Sequence, residues 1–241
     1  MLRGMRAHRK WIVVVGVCAA LPAGVALATG HGRIGVGGRT GQWTAGTCGT
    51  TEFRKAAGGE AFVEWLGESA RVTAGFRVVR EQILERNGVG AVAPGDGDVQ
   101  AAAGVLAAYR HRWFEVGAGV GFLRYADVGH AAHGTVMPAA ALRLGPEWLY
   151  ARGSLLDFSA ESLGIGTLKV GLGGRIGPVD LFGGLGVQPH LGGPTAGVLA
   201  RLGEDVGLRG DVLLAGESGG HFGFEAALGV TYNFGGDAPG P

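Results

Sequence analysis

Three groups of residues have the types that chemistry needs. His130 and His133, in the run HAAH, are metal-ligating side chains, but no third ligand stands at fixed spacing from them. Two imidazoles do not complete a coordination sphere, so they read as surface histidines and no metal site is expected. Ser154 and Ser159 are hydroxyls of the kind a histidine base activates in lipid hydrolysis, provided a polar group orients the base. His111 falls at the opposite rim from these serines in the strand reading below, and no motif ties His221, at their own rim, to either. No catalytic residue is assigned, the chain is read as a non-enzyme, and a lipid hydrolase is the weaker alternative. Gly171–Gly174 is followed by no helix that could aim its N-terminus at a phosphate, so no cofactor is expected.

The elements that must position these residues follow from the pattern of side chains. Arg3, Arg6, Arg9 and Lys10 precede the apolar run Trp11–Leu21, and Ala26-Leu27-Ala28 supplies a small-x-small exit. That order predicts a signal peptide over residues 1–28, cleaved before Thr29. Cleavage removes four of the 21 basic residues and no acid, leaving 17 against 20, a net charge of −3. A nucleic-acid binder would show a clustered basic excess instead. Cys18 leaves with the signal, so Cys48 is a lone thiol with no intramolecular disulfide partner. The 50 glycines have no G-X-Y period, which excludes collagen. Beyond the signal no apolar run is long enough for a membrane helix.

What remains has period two. In His221–Phe234 one parity reads Phe222, Phe224, Ala226, Leu228, Val230, Tyr232, Phe234, and the other is small or polar. Alternate side chains of a strand face opposite ways, so one face is wholly apolar. The same alternation marks Arg33–Gly38, Glu60–Leu66, Ala70–Val78, Val99–Tyr109, Trp113–Phe122, Thr135–Leu144, Glu147–Leu156, Thr167–Ile176, Val179–Val187, Thr195–Leu202 and Val206–Leu214. Glu147–Leu156 is the least clean, because Trp148 and Tyr150 share a parity with Arg152. Linkers alternate too: short turns such as Gly145-Pro146 and Gly177-Pro178 lie between longer loops at 39–59, 79–98, 123–134, 157–166, 188–194 and 215–220. The expected fold is all-β, a closed antiparallel transmembrane barrel of about twelve strands over residues 29–234, with ten if two weak strands fail. Trp65, Tyr109, Trp113, Trp148 and Tyr232 cluster at the short-turn rim, with Phe122, Tyr125, Phe158 and Phe222 at the other, as two interfacial girdles would. Residues 235–241 are expected to be a disordered tail.

The signal peptide, the amphipathic strands and the terminal ALGVTYNF resemble the outer-membrane β-barrel superfamily of Gram-negative bacteria. The resemblance is one of architecture over residues 30–234, and it implies an outer-membrane location with lipid as a partner. It also implies that the last strand, with Tyr232 and Phe234, is the signal read by the barrel-insertion machinery. The chain departs from the pattern in that Gly235–Pro241 follows Phe234. A soluble periplasmic barrel or sandwich binding protein is the alternative; there, water-facing positions would rarely be glycine, yet Gly117, Gly119, Gly121, Gly171 and Gly173 all lie on the polar parity.

The inward parity collects Arg71, Arg77, Arg143, Arg152, Lys169, Arg175, Arg201 and Arg209, opposed by Glu64, Glu115, Asp180, Asp211 and Glu225. Two functions fit this set: a charge network that braces a structural scaffold, or a narrow passive, porin-like channel with a slight preference for small anions. The sequence leaves open whether the lumen is plugged, any transported solute, the oligomeric state, and the roles of Cys48 and the His130/His133 loop.

Overall fold

The computed structural model describes residues 32–47, 50–86, 89–90, 99–125, 133–189, 191–216 and 222–235. The signal segment, Cys48, His130, His221 and residues 236–241 lie outside them.

Among the described residues thirteen strands follow in chain order: β1 Gly32–Thr47, β2 Thr50–Leu66, β3 Ala70–Arg86, β4 Val89–Gly90, β5 Val99–His111, β6 Phe114–Tyr125, β7 His133–Leu144, β8 Tyr150–Leu155, β9 Leu168–Ile176, β10 Val179–Val187, β11 Gly192–Leu202, β12 Val206–Gly216 and β13 Phe222–Phe234. Twelve of them form a closed antiparallel barrel, and β4 is a two-residue extension paired to the end of β3. Closure is made by β1 against β13, with Gly32 opposite Phe234 and Gln42 opposite Phe224. Closure leaves no unpaired edge, the condition for strands to cross a bilayer.

Outward residues are apolar and exposed: Leu228 is 75% exposed, Ile176 71% and Val136 70%. Inward neighbours on the same strands, such as Glu225, Arg175 and Ala139, are buried or half-buried. So continuous an apolar exterior is incompatible with a water-soluble barrel, whose apolar face would point into its core. No helix among the described residues is long and apolar enough to cross a membrane.

The wall is uneven. Strands β1, β2 and β3 have 16, 17 and 17 residues, while β8 has 6 and β9 and β10 have 9 each. A tilted strand needs only about 9–11 residues to cross the hydrocarbon, so β1–β3 rise well beyond it. This corrects the expectation of long outer loops at 39–59 and 79–98: residues 39–47, 50–59, 79–86 and 89–90 are strand. Beyond the bilayer both faces of a strand meet polar surroundings, as with Lys55 and Thr51 outside against Arg54 and Glu52 inside. The apolar alternation that marks lipid contact is lost there.

Candidate functional site

The lumen is filled. β8 stops at Leu155, and Leu156 takes a left-handed φ of 49°, the one positive φ at a non-glycine among the described residues. Such a backbone is costly for a branched side chain and persists only where its surroundings enforce it. The chain then turns into the barrel over residues 156–167 and rejoins the wall at Leu168. The Leu156 N–H donates to the Thr167 carbonyl at 2.9 Å, closing the neck of this segment. Ser159, Ala160 and Ile165 are 0% exposed and Leu163 is 1% exposed. The expectation of an external loop at 157–166 is therefore corrected: the segment is a plug.

Glycines of four separate strands make the seat. A Cβ at Gly75 on β3 would meet Phe158, with Cγ at 2.8 Å. One at Gly104 on β5 would stand 2.9 Å from the Leu156 carbonyl oxygen, and one at Gly121 on β6 would strike the Leu156 side chain. At Gly197 on β11 it would lie 2.8 Å from Leu163 Cβ. Phe158 thus packs inside the barrel against β3 and is not a girdle residue, which corrects its expected place. Tyr109, Trp113, Trp148 and Tyr232 are exposed at the short-turn rim. Tyr150 faces inward over Gly173, with Arg143 5.6 Å from its ring centre, and Trp148 sits in the preceding turn. That removes the parity conflict in this strand.

Polar bonds tie the plug to the wall. The Asp157 carboxylate accepts from Arg152 Nη2 at 2.8 Å, Arg71 Nη1 at 3.3 Å, the Ser159 N–H at 3.0 Å and the Ser159 hydroxyl at 3.1 Å. Arg71 also reaches Glu115 at 2.6 Å and Glu64 at 3.4 Å, joining β2, β3 and β6 to the plug. Further along, the Gly164 N–H donates to Asp211 at 2.5 Å and the Ile165 N–H to Thr195 Oγ1 at 2.7 Å. Lys169 Nζ and Arg209 Nη2 donate to the Ser162 carbonyl at 2.5 and 3.0 Å. Burial raises the Asp157 carboxyl, but Arg71 and Arg152 outweigh it and hold the group well below the usual carboxylate range. Glu161 is likewise raised by burial and lowered further by Arg110, which it meets at 3.2 Å.

The inward residues read from the sequence fall into several groups. Arg71, Arg152, Glu64 and Glu115 surround Asp157. Arg175 and Arg201 share Asp180, at 2.7 and 2.6 Å, near the short-turn rim. Arg209 meets Asp211 at 2.5 Å, and Glu225 receives Arg39 at 3.2 Å. Arg77 and Lys169 line a central cavity, and Arg143 stacks on Tyr150. Sequence reasoning missed Arg33, Arg39, Glu60 and Arg110 in this network, and also Asp157 and Glu161. It missed Arg54 as well, which joins Glu52 and Glu81 at 2.6 Å in the tall part of the wall. The parity that exposed the others extends to Arg39 and Arg54 once β1 and β2 are given their full length. The lumen is also less polar than the alternation implies: Leu106, Leu199 and Leu213 point inward and are buried.

The serines are engaged within this network. Ser154 meets Ser162 at 3.4 Å, and Ser159 bonds Asp157 and Arg152. His111 accepts from the Trp113 N–H, and His133 packs edge-on against Tyr125. No cluster of three or more metal-ligating residues occurs among the described residues.

No protein-family model and no curated protein sequence matches the chain. Among solved structures, the transport unit of the Escherichia coli autotransporter AIDA-I matches at 9% identity and a TM-score of 0.45, covering 84% of this chain and 90% of that one. The Salmonella typhi outer membrane phospholipase dimer with bound calcium matches at 11% identity and TM-score 0.42, over 84% and 91%. The β domain of the Bordetella autotransporter BrkA matches at 15% identity and TM-score 0.41, over 85% and 99%. With its closed twelve-stranded antiparallel wall, apolar outside and charged within, this chain has the architecture of a transmembrane β-barrel.

Proposed function

We propose that this chain is an integral outer-membrane barrel acting as a sealed, charge-braced scaffold, without enzymatic activity. The observation that carries the reading is the plug, held by Asp157 between Arg71 and Arg152 and seated on glycines of four strands. A passage would need a continuous aqueous path, and two cavities that border the plug among the described residues measure about 30 and 10 Å³, room for a few waters. Paired and hydrogen-bonded charges in such a site resist rearrangement, because each partner left behind would be buried and uncompensated.

The narrow channel with a slight anion preference is the second reading, favoured by the inward cations Arg77 and Lys169. Under it, the plug would have to leave its seat before solute passes. Export with signal cleavage before Thr29 and insertion through Tyr232 and Phe234 belong to the same proposal. Fractionation of cells and liposome swelling test it together. The protein should sediment with the outer membrane, and liposomes carrying it should swell no faster in small sugars or salts than empty ones. Recovery in the soluble periplasm, or rapid swelling, would overturn it.

A further inference from the structure

The cavity in mid-lumen has an unbalanced wall. The cations Arg39, Arg77, Lys169 and Arg209 line it, with the carboxylates Glu60 and Asp157. Asp157 is engaged by Arg71 and Arg152, on its other side. Arg39 meets Glu60 at 3.3 Å and Glu225 at 3.2 Å, and Arg209 meets Asp211. Arg77 and Lys169 then remain, each 5% exposed. Among the described residues neither forms an ion pair: Arg77 makes a long 3.4 Å contact to Thr167 Oγ1, and Lys169 donates to the Ser162 and Gly164 carbonyls. The Nε and Nη1 atoms of Arg39 are the ones that meet Glu60 and Glu225, as ion pairs without aligned hydrogen bonds.

Arg39, Arg77 and Lys169 share the carboxylates Glu60 and Glu225, and the one positive charge left in excess around Arg77 and Lys169 is costly in a low-dielectric interior. The space between them, about 30 Å³, is two or three times the roughly 10–15 Å³ that one water needs by the same measure. A tetrahedral phosphate ester on a larger molecule would not fit, whereas a halide with a water would.

We propose that this cavity binds one small inorganic anion of chloride size, held between the Arg77 guanidinium and the Lys169 ammonium. The site rests on the sealed-lumen reading, because Gly164, Gly166 and Thr167 of the plug form part of its wall. The anion completes the charge balance that the side chains leave open, and so locks the plug from the side opposite Asp157.

The test follows thermal unfolding of the full barrel in detergent while sodium chloride replaces sodium gluconate at constant ionic strength. Gluconate is too large for the cavity, and screening is the same in both salts. The midpoint should rise with chloride and saturate, as specific binding to the folded state requires. Arg77→Gln should raise the half-saturating chloride concentration about tenfold or more, the loss of one charge-assisted contact. Arg77→Gln with Lys169→Gln should abolish the response. Bromide in crystals should give an anomalous peak between the two side chains. An unsaturating response, equal in wild type and double variant, would show a general salt effect and overturn the site, as would indifference of the wild type to the exchange. Bilayer currents from the wild type would refute the seal without bearing on the chloride titration, so the two failures are distinguishable.

Discussion

Asp157 holds the plug, and its removal has a calculable effect. Asp157→Ala deletes the acceptor of two guanidiniums and of both Ser159 donors. Breaking a buried ion pair costs about 3–5 kcal/mol, chiefly through the charge left behind. Arg71 retains Glu115 and Glu64, whereas Arg152 keeps a 3.7 Å contact to Glu115 and the neutral Ser159 hydroxyl at 3.3 Å. The cost therefore falls near the lower end, about 3 kcal/mol, or roughly a hundredfold in the ratio of released to seated plug. The assay is labelling of Ala160→Cys, a fully buried position, by a membrane-impermeant maleimide in vesicles, with native cysteines replaced by serine. The parent should label slowly and the Asp157→Ala variant about a hundred times faster. Asp157→Asn, which keeps the acceptor oxygen and loses the charge, should fall between them. Equal rates in parent and Asp157→Ala, or a parent that labels at once, would refute the reasoning.

Leu228 faces lipid and Thr231 faces the lumen on the same strand, so Leu228→Arg should lose roughly 2–4 kcal/mol of folding stability in vesicles; Thr231→Arg should lose less in the same denaturant titration. Gly75→Val puts a branched side chain where Phe158 packs, and should expose Ala160→Cys to maleimide while the barrel still resists dissociation in detergent. Replacing Arg143, Arg201 and Arg209 together with glutamate should reduce the yield of folded barrel in a gel-shift assay, because Arg201 and Arg209 would face Asp180 and Asp211 with like charge. Asp157 and Glu161 have lowered pKa values, so their contribution is complete above the ordinary carboxylate range and declines as pH falls below it. The thermal unfolding midpoint should accordingly lose nothing through these two groups between about pH 8 and 5, and fall through them only below about pH 4.

The strand alternation from Val99 onward was legible because each outward residue there meets lipid, which admits few polar side chains. The segment Asp157–Gly166 carries Phe158, Leu163 and Ile165 among Ser159, Glu161 and Ser162, with no period of two or 3.6. Such a stretch reads as a loop, and its destination is set by Gly75, Gly104, Gly121 and Gly197, which are far apart in the chain and meet only when the barrel closes. Inward charges were visible by parity where an apolar outward face flanked them on both sides, which Arg33, the first residue of its expected strand, lacked. Glu60 stood at the start of its expected strand, and Arg39 lay beyond the end of its own, so neither was counted. Asp157 was hidden for a different reason: it belongs to no strand, so no parity could place it opposite Arg71.

The central claim is that residues 156–167 close the barrel. Leu155 and Leu168 are paired across β8 and β9, so a short Gly-Asn-type turn can join the two strands directly and leave the wall intact. Planar-bilayer recordings of the wild type and of this plug-deleted chain compare the two states in one experiment. The account predicts a silent wild type and discrete conductance steps from the deletion. Steps of equal size from both proteins, or silence from a correctly inserted deletion, would contradict it.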